Sequence, residues 1–150
     1  MQLSHVDPAV IGVWRWHGIV TALVATLIST VFSLPFPILW PLPPVVAVVS
    51  FAFALLWPPV AYRHLQFGVD ETGIAIESGV IWRSRVALPR VRIQHTDVSQ
   101  GPLERRHGIG TLKLYTAGSR HVKIELPGLN HDEALALRDA LLAEGRGSGV

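Results

Sequence analysis

The residue types best suited to catalysis in this chain are concentrated between Ile93 and Gly110, in the stretch IQHTDVSQGPLERRHGIG. Within it, His95 and Asp97 lie two positions apart on a predicted strand, so both side chains can share one face. Ser99 could complete a nucleophilic triad of hydroxyl, imidazole and carboxylate. A segment of this composition contains such triples by chance, and no nucleophile-elbow motif accompanies this one. We therefore predict no catalytic residue and no enzymatic activity.

Metal and phosphate sites are not expected either. The seven histidines show no pair at the i, i+4 spacing of a helical zinc motif, and the chain has no cysteine. The triplet GIG at Gly108–Gly110 lacks the lysine and the strand–helix context of a nucleotide-binding loop. We expect Gly101 and Gly108 to flank a short helical turn that begins at Pro102 and reverses the chain. No metal and no cofactor are predicted.

The polar residues before this turn are interpreted as structural. We expect Gln94, His95 and Asp97 to hydrogen-bond the strand to the following loop, Gln100–Gly108. A role facing a partner or a ligand is the open alternative. Under the structural interpretation, the side chains that point outward are Glu104, Arg105 and Arg106.

Positive charge is concentrated in the same half of the chain. From Ile81 to Lys123 there are nine Lys or Arg residues against two acids, whereas the whole chain has a formal charge of +2. Three interpretations are open: contact with anionic lipid headgroups, ion pairs with a protein partner, or a solvated basic face. Nucleic acid is not expected, because aromatic residues are not interleaved with the basic ones. The candidate partner- or lipid-facing residues are Arg83, Arg85, Arg90, Arg92, Arg105, Arg106, Lys113 and Lys123.

The elements that must position these residues begin with an apolar half. Between Trp16 and Tyr62 the chain contains no Lys, Arg, Asp or Glu. We predict two membrane-spanning helices at about 17–34 and 44–62, each close to the length that crosses a hydrocarbon core of about 30 Å. The intervening PFPILWPLPP has five prolines in ten residues and cannot continue a helix. The pattern therefore predicts a transmembrane hairpin over residues 16–62.

The orientation of the hairpin follows from its flanking charges. Arg15 precedes the first span and Arg63 follows the second, whereas the turn carries no charge, so both termini are expected on the cytoplasmic side of the inner membrane. A transporter or channel is not expected, because neither span contains a charged residue. The alternatives are a cleaved signal peptide, two buried core helices, and a re-entrant hairpin in which Pro58-Pro59 limit the second helix to about Pro44–Trp57.

After Arg63 the hydrophobic pattern changes to that of short strands. The segment His64–Asp70 is predicted as a strand, and TGIAIESG and VIWRSRVAL as a hairpin joined at Ser78-Gly79. In RVRIQHTDVS, we expect Val91, Ile93 and His95 on one face. A second hairpin is predicted around Ala117-Gly118-Ser119, with its inward-facing residues at Leu112, Leu114, Val122, Ile124 and Leu126.

The last predicted element is a helix in NHDEALALRDALLAEG. Asn130 is its expected N-cap, Glu133 occupies the capping-box position, and Gly145 follows its end. We predict a membrane-anchored α+β protein. A cytoplasmic segment (1–15) and the hairpin (16–62) precede a domain of six or seven antiparallel strands (63–144), and a flexible tail (145–150) follows. The domain is expected to be a sandwich or partly open barrel capped by the helix, whose apolar stripe is Leu135, Leu137, Leu141 and Leu142.

At this point the series GVDETGIAIESGVIWRSRVALPRVRIQHTDVSQGPLERRHGIGTLKLYTAG resembles the bacterial pleckstrin-homology domain family 2. The resemblance covers about Arg63 to Glu144, and the two-span hairpin fits the small membrane members of that family. It implies a PH-like fold of two packed antiparallel sheets capped by a C-terminal helix. The residues that match the family's motif loop are Gln94, His95, Asp97, Gln100, Gly101, Pro102, Glu104, Arg105 and Gly108.

The resemblance also implies a partner. Genes of this family are frequently paired with a longer relative that carries several PH-like domains, which implies a membrane complex. We therefore expect a non-enzymatic inner-membrane protein whose cytoplasmic domain is an assembly or scaffold module, in contact with another membrane protein, with further copies of itself, or with both. The alternative is a membrane-surface module that binds anionic lipid headgroups through a basic face. A small hydrolase built around His95 and Asp97 is the third hypothesis.

Overall fold

A computed structural model of the chain describes residues 2–116 and 123–143. Its contacts divide the chain into two compact units, one from Met1–Val10 and Ala61–Val150, and one from Ile11–Val60. The first unit contains the strands and two helices, whereas the second unit consists of long apolar helices. Within the described residues, seven strands, two long apolar helices and a C-terminal helix confirm the predicted α+β architecture.

The apolar helices are α1 (Ala9–Ser33) and α2 (Leu42–Arg63), separated by a 3-10 turn at Pro37–Leu39. Their large side chains are exposed rather than packed; Ile28 is 62% exposed and Leu56 is 69% exposed. A pair of core helices in a soluble protein would bury these faces, whereas a hydrocarbon environment accommodates them. Low burial therefore argues against the alternative of two soluble core helices.

The helix α2 bears on the alternative of a re-entrant hairpin. It continues through Pro58 and Pro59 to Arg63, which argues against the alternative in which these prolines limit the second helix to about Pro44–Trp57. Each proline removes a single N–H donor from the helix, and the remaining backbone bonds hold the segment helical. Its 22 residues extend about 33 Å at about 1.5 Å per residue, which is enough to cross the hydrocarbon core.

Close approach of the two helices is achieved with small residues. A Cβ atom added at Gly18 would lie 2.9 Å from the Cβ of Ala54, so the helices touch at this level. The hydroxyl groups of α1 and α2 are satisfied locally; for example, Thr26 Oγ1 donates to Ala22 O at 2.8 Å and Ser50 Oγ to Val46 O at 2.6 Å. These hydroxyls therefore bond to their own helix and not across to the other one.

The first sheet has four antiparallel strands in the order β1-β2-β3-β4. They are β1 (Ser4–His5), β2 (Gln66–Val69), β3 (Gly73–Ser78) and β4 (Ser84–Pro89). Strand β1 was not predicted, because two residues are too short to show a period. The N-terminal residues are held further by Tyr62 Oη, which donates to Val6 O at 3.1 Å, and by burial of Val6 and Val10 to 2% exposure. The first ten residues therefore belong to the β-rich unit.

The loop between β3 and β4 corrects the predicted hairpin. The sequence pattern placed a strand directly after Ser78-Gly79, but β4 begins at Ser84, and residues 79–83 form a loop. Ile81 is 76% exposed and Trp82 is 88% exposed. Isoleucine and tryptophan have a high strand propensity whether they lie in a strand or in the loop beside it. Composition therefore could not locate the start of β4.

The second sheet has three antiparallel strands in the order β5-β6-β7, namely β5 (Ile93–Ser99), β6 (Ile109–Thr116) and β7 (Lys123–Asn130). The predicted inward residues Leu112, Leu114 and Leu126 are fully buried, at 0% exposure. The predicted turn at Ala117–Ser119 and the predicted inward residue Val122 lie outside the described residues.

The face assigned to the start of β5 is wrong. Val91 lies in a 3-10 turn, Arg90–Arg92, and is 92% exposed, while Thr96, at 3% exposure, takes the inward position expected for His95. The pairing of β5 with β6 shifts between Ile93 and His95. A shift of one residue turns every following side chain to the other face, which is why the alternation failed.

The C-terminal helix α4 (His131–Ala143) packs against the second sheet. Asn130 is the N-cap as predicted, since its Oδ1 accepts the backbone N–H of Asp132 at 3.1 Å. Ala134 and Leu141 form the buried face, at 0% and 3% exposure. Leu142, predicted to belong to the apolar stripe, is 37% exposed, so that assignment is wrong. Gly145 and the C-terminal tail lie outside the described residues.

The turn between β2 and β3 depends on Asp70 and yields a testable prediction. Its Oδ1 accepts hydrogen bonds from Thr72 Oγ1 (2.5 Å), Thr72 N (2.8 Å) and Gly73 N (3.0 Å). The hydrogen bond from the Thr72 hydroxyl lowers the pKa of Asp70 below its ordinary value. A depressed carboxyl pKa contributes stability above the unfolded-state pKa and loses it as the pH falls through the folded-state pKa.

We therefore expect Asp70→Ala to lower the urea midpoint of the full chain at pH 7, and the difference from wild type to shrink as the pH falls below about 4. Glu71→Ala, at the neighbouring exposed position, is the matched control and should leave the midpoint unchanged. A difference that stays constant into acid would contradict the assigned role of the carboxylate.

Candidate functional site

The motif loop is built around a single short helix. The helix α3 (Pro102–Arg106) begins at Pro102, follows the N-cap Gly101, and is closed by Gly108, as the sequence predicted. Gly108 has a φ of +68°, in the left-handed region where a side chain is unfavourable. From there, Ile109 enters β6, and the Gly108 carbonyl accepts the His131 amide at 3.1 Å. The loop is thus joined to the start of α4.

Glu104 holds this loop together. Its Oε2 accepts the amide of Gly101 at 2.7 Å, and its Oε1 accepts the hydroxyl of Thr111 at 2.7 Å. One carboxylate therefore satisfies an N-terminal amide of α3 and ties the helix to β6. The expectation that Glu104 points outward with Arg105 and Arg106 is wrong for Glu104, whose side chain is half-buried, while both arginines are exposed as predicted.

The predicted role of Gln94, His95 and Asp97 belongs to other residues. These three are exposed, and the polar side chain that joins the loop to β6 is Gln100, whose Nε2 donates to Ile109 O at 2.8 Å. His95 instead lies against Tyr115, with ring centroids 5.7 Å apart. Sequence reasoning selected the polar residues of the strand, but the loop is held by the polar residues nearest to it.

Among the described residues, the recorded contacts of His95 and Asp97 are with β6 and not with each other. Both lie on the open face of β5, opposite Tyr115 and Lys113 on β6. Within residues 2–116 and 123–143, no three His, Asp or Glu side chains are grouped in a way that could hold a metal ion.

The two lysines of the second sheet lie among acids. Lys113 is directly opposite Asp97 on one side and Glu125 on the other. Lys123 Nζ lies 2.5 Å from Glu125 Oε1; this contact raises the pKa of Lys123 and lowers the pKa of Glu125. Because both side chains are exposed, the pair contributes little to stability. This face is a mixture of charges rather than a basic surface.

The arginines are divided between structural and exposed positions. Arg85 pairs with Glu77 on the neighbouring strand, and the Nη2 of Arg90 donates to Asp70 O at 2.8 Å, which fixes the turn described above. The side chains of Arg83 and Arg92 are exposed, as are those of Arg105 and Arg106 on α3. The eight basic candidates therefore do not form one face: they are distributed over both sheets and α3.

One continuous stretch of the chain nevertheless contains four of them. We name the stretch Ile81–Arg92 the arginine edge: it comprises β4, the end of the loop before it and the 3-10 turn after it. It contains four arginines and no acid. Among the described residues, β4 pairs with β3 alone, so its other side is open. The apolar residues Ile81, Trp82 and Val91 are exposed at its two ends.

A cavity of about 360 Å³ lies beside the start of the arginine edge. We name it the arginine cavity; its basic residues are Arg63, Arg83 and Arg85, and the acid Glu77 is already paired with Arg85. Its other lining residues are His64, Gln66, Ser78, Gly79 and Ser84. Sequence reasoning missed this cavity because Arg63 was considered only as a charge that follows the second span, and no local pattern brings it beside the 79–83 loop.

Comparison with known proteins gives two matches. The family model of the bacterial PH domain matches residues 9–145. The chain is also 33% identical over 145 residues to the UPF0699 transmembrane protein YdbS of Bacillus subtilis (strain 168), covering 92% of this chain and 89% of that relative. No solved structure matches the chain.

Proposed function

This chain belongs to the bacterial PH domain family, and from that premise we propose that it is a non-enzymatic inner-membrane protein whose cytoplasmic domain joins it to another membrane protein. Family membership confirms the resemblance predicted from the motif, and a transmembrane relative supports a membrane-associated role. The first candidate partner is a longer relative with several PH-like domains. The charges of Arg15 and Arg63 support cytoplasmic termini.

The observation that carries this proposal is the open side of the arginine edge. An edge strand leaves a row of backbone N–H and C=O groups without a neighbouring strand. A partner can add a strand that hydrogen-bonds to these groups, which is called β-augmentation. Natural sheets usually protect such edges, by charge or by a covering segment. Here the strand is flanked by Trp82 and Val91, at 88% and 92% exposure, which water solvates poorly. Arginine and tryptophan are the residues most enriched at interface hot spots.

The charge of the edge specifies the partner's chemistry. Arg85 is paired with Glu77 and Arg90 with the Asp70 carbonyl, so the exposed charges outside these contacts are Arg83 and Arg92. No acid lies between them in the sequence, so the complementary segment is extended and acidic. Pairing of two copies of this edge with each other would bring two sets of arginines together, and like charges in register are unfavourable. The proposal is therefore a heteromeric contact through this edge.

Co-purification of the full-length, tagged chain from native membranes tests this function. We expect wild type to retain another membrane protein, and Arg92→Glu, which reverses an exposed charge at the end of the edge, to reduce its recovery about tenfold. Arg106→Glu is the matched control, since Arg106 is an exposed arginine outside the edge. Retention of the partner by Arg92→Glu, together with its loss in Arg106→Glu, would place the contact on α3 and refute the edge.

A further inference from the structure

We infer that the arginine cavity binds the phosphate group of an anionic lipid headgroup. This binding site overlaps the arginine edge at Arg83, Ser84 and Arg85, but its ligand is a lipid and not the proposed protein partner, so the inference goes beyond that contact. Three arginines and one glutamate line the cavity, and the glutamate is paired with Arg85, so the arrangement keeps an excess of positive charge. The volume of about 360 Å³ is in the range of small-ligand pockets. The planar guanidinium group of arginine can donate two parallel, charge-assisted hydrogen bonds to the oxygens of a phosphate group.

The polar side chains of the cavity suit an oxyanion. Arg63 and Arg83 are exposed and lie outside the Glu77–Arg85 ion pair, so their guanidinium groups can turn toward a ligand. Ser78 and Ser84 add hydroxyl groups, which donate hydrogen bonds to phosphate oxygens. A free carboxylate inside the cavity would oppose an anion, but the one carboxylate present is neutralised by its arginine.

The position of the cavity along the chain favours a lipid as the source of that phosphate. Arg63 is the last residue of α2 and the first charged residue after the apolar run. A charge at the end of a span lies at headgroup depth, because the hydrocarbon core excludes it. One wall of the cavity is therefore placed where lipid phosphates are most concentrated.

The loop that forms another wall has the character of an interfacial anchor. Ile81 and Trp82 occupy the same 79–83 loop that contributes Gly79 and Arg83 to the cavity. Their side chains, at 76% and 88% exposure, would leave water if the loop entered the boundary between headgroups and acyl chains. Tryptophan prefers this boundary, and arginines beside it remain with the phosphates. Cavity and loop together match an amphipathic lipid better than a soluble phosphate.

The full-length chain in mild detergent, titrated with phosphatidylglycerol and followed by native mass spectrometry, tests the inference. We expect tighter binding of phosphatidylglycerol than of phosphatidylcholine. Arg83→Gln should weaken phosphatidylglycerol binding about fivefold, and Arg63→Gln/Arg83→Gln about 25-fold, if each basic residue contributes about as much as at an anionic surface. Arg83→Lys should keep most of the affinity, because the charge remains. Arg106→Gln, outside the cavity, should bind like wild type.

Two further arms separate the sources of phosphate. Free glycerol phosphate should bind far more weakly than the lipid, and Trp82→Ala should weaken lipid binding while leaving glycerol phosphate binding unchanged. Equal binding of glycerol phosphate and lipid would overturn the lipid assignment. Equal effects of Arg83→Gln and Arg106→Gln, or no preference for phosphatidylglycerol, would overturn the site.

The result is independent of the proposed partner contact. Arg63 lies at the cavity and outside the arginine edge, whereas Arg92 lies in the edge and outside the cavity. Loss of lipid selectivity in Arg63→Gln with an intact partner, or loss of the partner in Arg92→Glu with intact lipid selectivity, distinguishes failure of one proposal from failure of the other.

Discussion

Replacement of Gly128 by alanine is expected to lower the free energy of unfolding of the β-rich unit by about 3 kcal/mol. Gly128 has a φ of +80°, which costs a residue with a side chain about 1–2 kcal/mol. A Cβ atom at this position would lie 2.8 Å from Val10 Cβ and 2.9 Å from Val10 Cγ2, closer than real contacts allow. Val10 is 2% exposed and has little room to move. Strain and overpacking therefore add.

The same substitution should also release the N-terminal segment. The Gly128 carbonyl accepts the amide of Asp7 at 2.7 Å, so displacement of this strand weakens the attachment of the first ten residues. Native-state hydrogen exchange of the full chain measures both effects, with faster exchange expected at Asp7 and throughout β7.

Gly108→Ala is the matched control for this prediction. Its φ is +68°, but no atom lies within 4 Å of the added Cβ, so only the backbone cost of about 1 kcal/mol is expected. If the two alanine variants lose equal stability, the contact with Val10 does not carry the effect.

Removal of the Glu104 carboxylate is expected to have the second largest effect. Glu104→Ala should destabilise the unit by about 2 kcal/mol, because two charge-assisted hydrogen bonds, to Gly101 N and Thr111 Oγ1, are lost together. Thr111 is 8% exposed, so its hydroxyl would be left without this acceptor in a buried position. Urea unfolding of the full chain in detergent gives the free energy difference.

A double-mutant cycle separates the bond from the loss of side-chain volume. Thr111→Val removes one of the two hydrogen bonds, so Glu104→Ala/Thr111→Val should cost less than the sum of the single variants by about 1 kcal/mol. Asp97→Ala, a carboxylate on the open face of the sheet, should remain close to wild type. Additive single effects would show that Glu104 and Thr111 do not act through a shared hydrogen bond.

The features that the sequence predicted correctly are those whose hydrophobic pattern extends over many residues. The apolar runs before Tyr62 are charge-free over a span length, and the alternation of Leu112, Leu114 and Leu126 repeats across paired strands. Many residues must agree for such patterns, so a single irregular position does not disturb them. Asn130 was identifiable as a cap because capping depends on one side chain and its neighbours.

The features that were missed depend on single positions or on distant contacts. The shift between Ile93 and His95 is one residue wide, yet it exchanges the faces of His95 and Thr96. The short strand β1 exists because β2, about sixty positions later, pairs with it, and no local pattern encodes that. Similarly, Glu104 is the bonding residue because Thr111 is brought opposite to it by the turn. The arginine cavity arises in the same way from Arg63 and the 79–83 loop.

Site-specific photo-crosslinking in native membranes tests the central claim most directly. A crosslinking residue in place of Ala87, which is exposed at the middle of β4, should yield an adduct with another membrane protein, whereas the same residue in place of Lys123 on the second sheet should not. The opposite pattern, or a protein adduct from neither position, would contradict an assembly function through the arginine edge.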